Sequence, residues 1–346
     1  MKKTLLITSL IIICAGVGLH IFDLTEKLND GVNTETENQV SSYPATISYT
    51  VLDNPEEKVE IDPEIKLVMF GDSMVGDPLT DMVIEGHNPY AFMIDEFNKY
   101  DLVIGNLETT IDGVSHGTPQ NKNFTFSAPE RFADLIKEAG VDVLNMANNH
   151  SMDYGGNALL WGIQKLHNIG IATFGAGENL NEAFKPYIVD VKGTKIAFIG
   201  INSAEYSITM ATENSPGSGY FQESLVSNSI QAARNEGAQV VIVWCHWGDE
   251  HSLDVNDWQR DWARKIINAG ADLIVGMHPH VREEYSQYNG KWVFYSLGNF
   301  VFTGMGWDPE AVKGYLLDVR INKGVITAAS VKTVEINYQG FPHFPE

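Results

Sequence analysis

Short apolar runs alternate with longer amphipathic segments along most of this chain. From Ile65 onward, the pattern predicts strands at 65–70, 102–107, 141–147, 171–176, 187–191, 195–201, 239–247 and 271–278. Between them it predicts helices near 89–99, 129–139, 155–169, 222–236 and 257–269. Strands that alternate with helices are typical of a layered α/β domain.

The C-terminal part departs from this alternation. It has strand-like segments at 282–288, 291–300, 314–321 and 324–336, and the turn pairs Asn289-Gly290 and Lys323-Gly324. Such pairs connect β-hairpins, because both residues tolerate the positive φ that tight turns need. We therefore expect a mixed α/β fold with two sheets at its core and helices on the outside.

The N-terminus has the features of a membrane-targeting segment. Lys2 and Lys3 precede an apolar stretch from Leu5 to Phe22, and acidic residues follow it. Residues 1–22 are therefore predicted to be a signal anchor, with the N-terminus inside and the body outside the cell membrane. Cleavage near Ala15 or lipidation at Cys14 are alternatives, and either would leave a secreted or lipid-anchored body.

The remaining chain divides by composition. Residues 23–64 are polar and acidic, which is typical of a linker, and residues 65–340 form the predicted folded domain. Inside that domain, the long polar segment 203–224 is predicted to be a loop over the functional site.

Charge and cysteine content exclude some classes of ligand and metal site. The chain has 23 basic and 45 acidic residues and a net charge of −22, which repels polyanions, so no nucleic-acid partner is expected. An anionic substrate would need a bound metal to offset this field. With only two cysteines, Cys14 and Cys245, thiolate metal sites are poor interpretations.

Polar clusters stand where apolar runs end. They are GDSM (71–74), GNLE (105–108), NNHSMD (148–153), HWGDEH (246–251) and GMHPH (276–280). Strands of a layered α/β domain end at a common edge, so ligands distant in sequence can meet there. Carboxylate, amide and imidazole groups together favour manganese, iron(II) or zinc acting as a Lewis acid in hydrolysis.

Taken singly, most clusters also have a purely structural interpretation. Asp72 fits an Asx turn, Asn106 and Glu108 fit a helix cap, and His246 fits a buried histidine with satisfied hydrogen bonds. The strongest element is 278–280, His-Pro-His, because two imidazoles on one rigid turn can reach two adjacent metals.

The NNHSMD cluster predicts an acid as well as a ligand. Asn149 offers a neutral oxygen to a metal, and His150 is predicted to be a general acid. Asp153 would fix the tautomer of His150 and raise its pKa. The HWGDEH cluster also contains Asp249, Glu250 and His251, which are weaker candidates for contacts with the substrate or with the metal ligands.

In this order, GDSMVG, GNLETTI, NMANNHSMDYG, CHWGDEH, GMHPHV and YSLGNFVF resemble the CapA family of poly-γ-glutamate capsule biosynthesis proteins, over about residues 66–302. That family belongs to the calcineurin-like metallophosphoesterase superfamily. The resemblance implies a four-layer α/β/β/α sandwich with a dinuclear metal centre at one sheet edge. It also implies the catalytic histidine, His150, and the following metal ligands: Asp72, Asn149, His246, His278 and His280.

Two positions depart from the general phosphoesterase motifs. Met74 stands where a second histidine ligand is usual, and Asn106 stands where a bridging aspartate is usual. A missing bridging carboxylate raises the repulsion between two dications unless Glu108 substitutes for it. We expect two divalent ions, with Asn106 and Glu108 among the ligands. One tightly and one weakly bound ion is the alternative.

Two functions remain open. In the first, a metal-dependent hydrolase acts on a phosphoester or on the isopeptide bond of poly-γ-glutamate, and His150 protonates the leaving group. In the second, a non-catalytic subunit holds glutamyl carboxylates on its metal and supports polymer synthesis or export by partner proteins in the membrane.

Overall fold

The computed structural model describes residues 63–345. The predicted anchor, 1–22, and almost all of the predicted linker, 23–64, lie outside these residues and stay predictions. Within the described part of the chain, no helix combines the length and the apolar character needed to cross a membrane.

The described residues form strands and helices in an order close to the predicted one. The strands are β1 (Ile65–Ser73), β2 (Leu102–Leu107), β3 (Thr110–Ile111), β4 (Ser127–Ala128), β5 (Val143–Asn145), β6 (Ala172–Phe174), β7 (Ala176–Gly177), β8 (Tyr187–Val191), β9 (Thr194–Asn202), β10 (Gly217–Ser218), β11 (Val240–His246), β12 (Leu273–Met277), β13 (Tyr285–Tyr288), β14 (Lys291–Phe294), β15 (Asn299–Val301), β16 (Lys313–Asn322), β17 (Val325–Ile336) and β18 (Pro342–His343). The helices are α1 (Leu79–Ile84), α2 (Ile94–Phe97), α3 (Gly113–His116), α4 (Arg131–Glu138), α5 (Gly156–Asn168), α6 (Leu180–Ala183), α7 (Tyr206–Thr209), α8 (Glu223–Asn235) and α9 (Asp257–Ala269).

Two large sheets form the centre of the domain. The first has the strand order β18-β17-β16-β1-β2-β5-β6, and β15 also pairs with the end of β1. The second has the order β13-β14-β12-β11-β9-β8. In the first sheet β1, β2, β5 and β6 are parallel, and in the second β9, β11, β12 and β14 are parallel. In each sheet, the C-terminal ends of several parallel strands therefore lie at the same edge.

The alternation of side chains along β1 shows how the layers are held. Leu67 and Met69 pack between the two sheets, whereas Val68 and Phe70 face the helical layer that includes α1, α4 and α5. Helices α8 and α9 cover the outer face of the second sheet. Because side chains on a strand alternate between faces, both faces of the central strands β1, β2, β11 and β12 are buried and mainly apolar. The predicted four-layer α/β/β/α arrangement is confirmed.

The segment 291–300 is not the single strand that its pattern predicts. It splits into β14 in the second sheet and β15 in the first, because the chain crosses between the sheets at 295–298. Gly298, at φ 69°, makes the bend. Leu297 N donates to Gly276 O (2.9 Å) and Asp72 N donates to Gly298 O (3.0 Å), so the crossing segment bonds both sheets.

The predicted helix near 89–99 is two residues shorter at each end, because a 3₁₀ turn at Ala91–Met93 continues directly into α2. The later start follows from Asn88, which precedes a proline and whose side chain accepts from Tyr90 N (2.9 Å). The two hairpin turns, 289–290 and 323–324, are confirmed, with positive φ at all four residues. Strand β18 extends beyond the predicted domain end at 340.

We expect Gly105→Ala to destabilise the fold by about 1–3 kcal/mol through overpacking. Gly105 lies opposite Phe70 in the β1–β2 pairing, and an added Cβ would sit 2.0 Å from the buried Phe70 ring. The unfolding free energy measured in denaturant tests this. Gly306→Ala is the control because a Cβ there meets nothing within 4 Å, and an equal loss in both variants would contradict the explanation.

Candidate functional site

The predicted clusters converge at the carboxyl ends of the parallel strands. Ligand atoms of Asp72, Glu108 and His246 lie within 4.8 Å of one another, as do those of Glu108, His278 and His280. All five side chains are buried. Glu108 belongs to both groups, so one carboxylate stands between histidines from two different strand ends.

Glu108 has the least compensated side chain of this set. It is 0% exposed, and neither carboxylate oxygen has a hydrogen-bond partner among the described residues, although Oε1 lies 3.3 Å from His246 Nε2. Burial and the nearby charge of Asp72 hold its pKa well above the ordinary value. A cation between these carboxylates would offset both effects, so the donor set fits a divalent metal.

The surrounding histidines also fit a metal. Burial, together with the neighbouring imidazole of His280, holds the pKa of His246 well below its ordinary value, and burial does the same for the pKa of His278. Both rings are therefore neutral at pH 7, and each has an Nδ1 without a hydrogen-bond partner among the described residues. Neutral imidazole nitrogen is the form that binds a metal.

His280 differs from the other two histidines. Burial lowers its pKa, but Asp72, Glu250 and Asn299 together outweigh burial, and the net shift is upward. Its Nδ1 lies 2.9 Å from Asn299 Oδ1 and 3.5 Å from Asp72 Oδ2. Asn299 reaches this position because β15 pairs with the end of β1 after the sheet crossing.

Backbone strain marks the His-Pro-His turn. His278 has φ 98° and His280 has φ 60°, in a region that residues with a side chain rarely adopt. His278 N donates to Asp72 Oδ2 (3.1 Å), which holds the turn against β1. Such strain persists only where the surroundings fix it, and it is concentrated at functional sites.

Asn149 joins the same group of side chains from the end of β5. Its Oδ1 lies 2.7 Å from Nε2 of His246, so the amide oxygen and the imidazole converge on one point. Both side chains are buried.

Asn106 has a different position from the other predicted ligands. Its Nδ2 donates to Asp72 Oδ1 (2.7 Å), and its Oδ1 accepts from Asn145 (2.8 Å) and Asn148 (3.2 Å). Backbone contacts fix both amides: Asn145 Oδ1 accepts from Ala147 N, and Asn148 Nδ2 donates to Leu107 O. The oxygen of Asn106 is thus already used twice, and its amide group orients Asp72.

His150 and Asp153 form the predicted pair. Nδ1 of His150 lies 2.7 Å from Asp153 Oδ2, which leaves Nε2 as the free nitrogen. The predicted rise in the pKa of His150 is not found. Burial, together with Lys122 and His280, lowers the pKa by more than Asp153 raises it, and the net shift is downward. The Phe126 ring, with its centroid 4.5 Å away, helps to bury the imidazole.

A lysine that the sequence reasoning missed lies beside this pair. Lys122 Nζ donates to Asp153 Oδ1 (2.8 Å) and to Asn149 O (2.8 Å), and it forms an ion pair with Glu205. Its side chain is only 4% exposed. The one available signal was that it is the only basic residue between 117 and 126. Glu205, from the predicted loop 203–224, thus reaches the candidate site.

Other predicted positions have secondary places. Met74 packs with Phe302 and Phe126 in a small apolar cluster, so it offers no ligand atom equivalent to histidine. Glu250 is near enough for its charge to raise the pKa of Glu108. On either side of it, Asp249 accepts a hydrogen bond from the Asn256 side chain, and the His251 ring is hydrogen-bonded to Asp308.

A cavity of about 820 Å³ lies elsewhere, lined by residues of α5, β6, α6 and β8. Its lining includes none of the predicted ligands. The candidate site is therefore defined by converging side chains and not by volume.

Comparison with protein families identifies the chain. Residues 66–304 match the family described as bacterial capsule synthesis protein PGA_cap. The chain belongs to this family. The match covers all the clusters described above, and it confirms the resemblance to capsule biosynthesis proteins.

Two relatives of this PGA_cap chain are named for the same process. Capsule biosynthesis protein CapA of Bacillus anthracis is 33% identical, over 74% of this chain and 64% of its own length. PGA biosynthesis protein CapA of Bacillus subtilis strain 168 is 33% identical, over 74% of this chain and 67% of its own length. The chain thus spans about two thirds of each relative.

Among solved structures, the PGA_cap chain is similar to the calcineurin-like phosphoesterase YfkN from Bacillus subtilis. The identity is 14% and the TM-score 0.43, and the similarity covers 78% of this chain and 91% of that one.

We expect Lys122→Met to lower the unfolding free energy by about 3–5 kcal/mol, because it leaves the buried Asp153 carboxylate without its cation. Glu205→Gln removes a partner that is 34% exposed and should cost about 1 kcal/mol or less. Denaturant unfolding of both variants tests this difference. Equal losses would show that Lys122 acts chiefly through Glu205.

A second expectation concerns pH. Burial raises the pKa of Glu283 to about 8, and the carboxyl has one hydrogen bond, from Gln259 Nε2 (3.1 Å). The native state keeps this proton between pH 4.5 and about 8 while the unfolded chain loses it. The contribution to stability is therefore complete below that window and falls by up to about 1.4 kcal/mol per pH unit as the pH rises through it.

Glu283→Gln should flatten this slope, because the amide cannot ionise, and it should stabilise the protein near pH 8. The measurement is unfolding free energy against pH. Glu236→Gln is the control because its side chain is exposed and its charge is not among the causes that shift the pKa of Glu283. If both variants keep the wild-type slope, Glu283 is ionised in the native state.

Proposed function

We propose that this chain acts in poly-γ-glutamate capsule biosynthesis as a membrane-anchored protein with its body outside the cell, and that its site is a metal-dependent hydrolase site. The observation that carries the hydrolase proposal is the uncompensated Glu108 carboxylate among buried imidazoles, beside the His150–Asp153 pair. The two CapA relatives, which are named for capsule and PGA biosynthesis, support this process.

The residues suited to hold divalent ions are those with converging donor atoms: Asp72, Glu108, Asn149, His246, His278 and His280. When bound, manganese, iron(II) or zinc there would supply Lewis-acid polarisation of a phosphoryl or acyl oxygen and an activated water. We propose two ions, because Glu108 belongs to two ligand groups.

His150 is proposed to protonate the leaving group. Asp153 accepts from Phe126 N (2.6 Å) and from Lys122, which fix its carboxylate, and the carboxylate orients the imidazole through His150 Nδ1. Nε2 is then the nitrogen that delivers a proton to the departing oxygen or amide nitrogen. Because the His150–Asp153 pair is buried, bulk water is excluded from this proton transfer.

The substrate is proposed to be a phosphoester or the isopeptide bond of poly-γ-glutamate. Membrane synthase or export subunits are the proposed partners, since a polymer made at the membrane must pass an outward-facing anchored protein. The acidic surface of this chain, at net charge −22, gives no support to nucleic acid as a ligand.

One observation favours a second function, a non-catalytic metal-binding subunit. Asn106 replaces a bridging carboxylate with an amide whose oxygen accepts two hydrogen bonds, so less negative charge is available to hold two dications. A site with one ion could hold glutamyl carboxylates without hydrolysing the chain.

The deciding experiment measures metal content by elemental analysis, together with hydrolysis of a phosphodiester and of poly-γ-glutamate. We expect wild type to contain metal and to turn over one substrate. His150→Ala should keep the metal and lose about 10²–10⁴-fold in turnover. Glu108→Gln should lose metal. His87→Ala, at a histidine whose side chain is 56% exposed, is the matched control and should match wild type.

The outcomes separate the two functions. Metal without turnover on either substrate would favour the non-catalytic subunit. Metal-free wild-type protein would overturn the site itself. Turnover that survives His150→Ala would retain a hydrolase but remove His150 from its mechanism.

A further inference from the structure

A second imidazole–carboxylate pair lies next to the candidate metal site. His251 Nδ1 is 3.0 Å from Asp308 Oδ2, and the His251 and His280 ring centroids are 6.2 Å apart. Asp308 is itself fixed, because its Oδ1 accepts from Glu310 N (2.9 Å). The Nδ1 contact leaves Nε2 of His251 as the nitrogen open to a ligand.

The backbone holds His251 in an unusual conformation. Its φ is 61°, and its N–H donates to Pro279 O (2.8 Å), the residue between the two predicted ligands of the His-Pro-His turn. The loop that carries His251 is thus bonded to the turn that carries His278 and His280. Strain of this kind is maintained where the surroundings determine the position of a side chain.

An exposed aromatic ring completes this group. Trp307 is 67% exposed, and its ring centroid lies 4.6 Å from that of His251. The His251 side chain is 25% exposed, so this group faces solvent, whereas His278 and His280 are buried. A large exposed aromatic beside a candidate site offers an apolar face to a ligand.

Strand order places this group away from His150. Trp307 and Asp308 lie between β15 and β16, which both pair with β1 on one side. His150 follows β5, which lies beyond β2 on the other side of β1. A chain that reaches both groups must therefore pass the end of β1, where Asp72 stands.

We propose that His251 and Trp307, positioned by Asp308, form a subsite for a γ-linked glutamyl unit next to the reacting bond. This inference rests on the proposed function for the substrate class. The two methylenes of the unit lie on the Trp307 face. Because Nδ1 of His251 donates to Asp308, its Nε2 accepts a hydrogen bond from the amide N–H of the unit. The site then receives an extended chain that continues past the reacting bond.

The test is calorimetric binding of a γ-linked glutamate oligomer to the full-length chain, with metal content and the unfolding midpoint measured on the same samples. His251→Ala and Trp307→Ala should each weaken binding roughly fivefold, the size expected for one net hydrogen bond or aromatic contact. Trp307→Phe should stay within about twofold of wild type because it keeps an aromatic face. Phe92→Ala, at an aromatic that is 58% exposed in another segment, should not change the affinity.

Three outcomes would overturn the subsite. They are unchanged affinity in both alanine variants, an equal loss of affinity in Phe92→Ala, and a loss of metal that accompanies the loss of affinity. Wild type that fails to bind the oligomer would also overturn it. Binding is read without turnover, so wild type that binds but does not hydrolyse rejects the hydrolase function alone. Trp307 is exposed, so its variants keep the test decisive if His251→Ala does not fold.

Discussion

The site depends on two carboxylates that share a buried space at the strand ends. Asp72 and Glu108 are both 0% exposed, and burial together with the nearby charge of Asp72 holds the pKa of Glu108 well above its ordinary value. Asp72 is compensated by Asn106, by the backbone of His278 and by His280. Glu108 has no such set, which makes it the point at which a cation gains most.

An amide network orients Asp72 without a third buried carboxylate. Asn145 and Asn148 direct their donors at Asn106, and Asn106 directs its own donor at Asp72. Each link is neutral, so charge is concentrated on Asp72 and Glu108 instead of being spread over three carboxylates. A neutral network avoids the cost of burying a third negative charge, and it fixes Asp72 in one orientation.

The sequence predicts local features well and long-range ones poorly. The apolar run of β1 and the Asn289-Gly290 turn depend on neighbouring residues, so most strands, the hairpin turns and the clusters at strand ends could be predicted from the sequence. Lys122 could not, because its partners Asp153 and Glu205 are far away in sequence and only the fold brings them together. The predicted direction of the His150 pKa shift was wrong for the same reason, since burial is a property of tertiary packing.

The crossing between sheets at 295–298 shows why the geometry of this site cannot be predicted from local sequence patterns. Gly71 and Gly276 each allow the crossing backbone to approach closely, since a Cβ would lie 1.9 Å from Gly298 O in one case and 1.8 Å from Tyr295 O in the other. This approach pairs Asn299 with Asp72 and brings its side chain to His280. Gly71 and Gly276, the first residues of the GDSM and GMHPH clusters, therefore determine where Asn299 meets His280, and substitutions there would act on the site through the backbone.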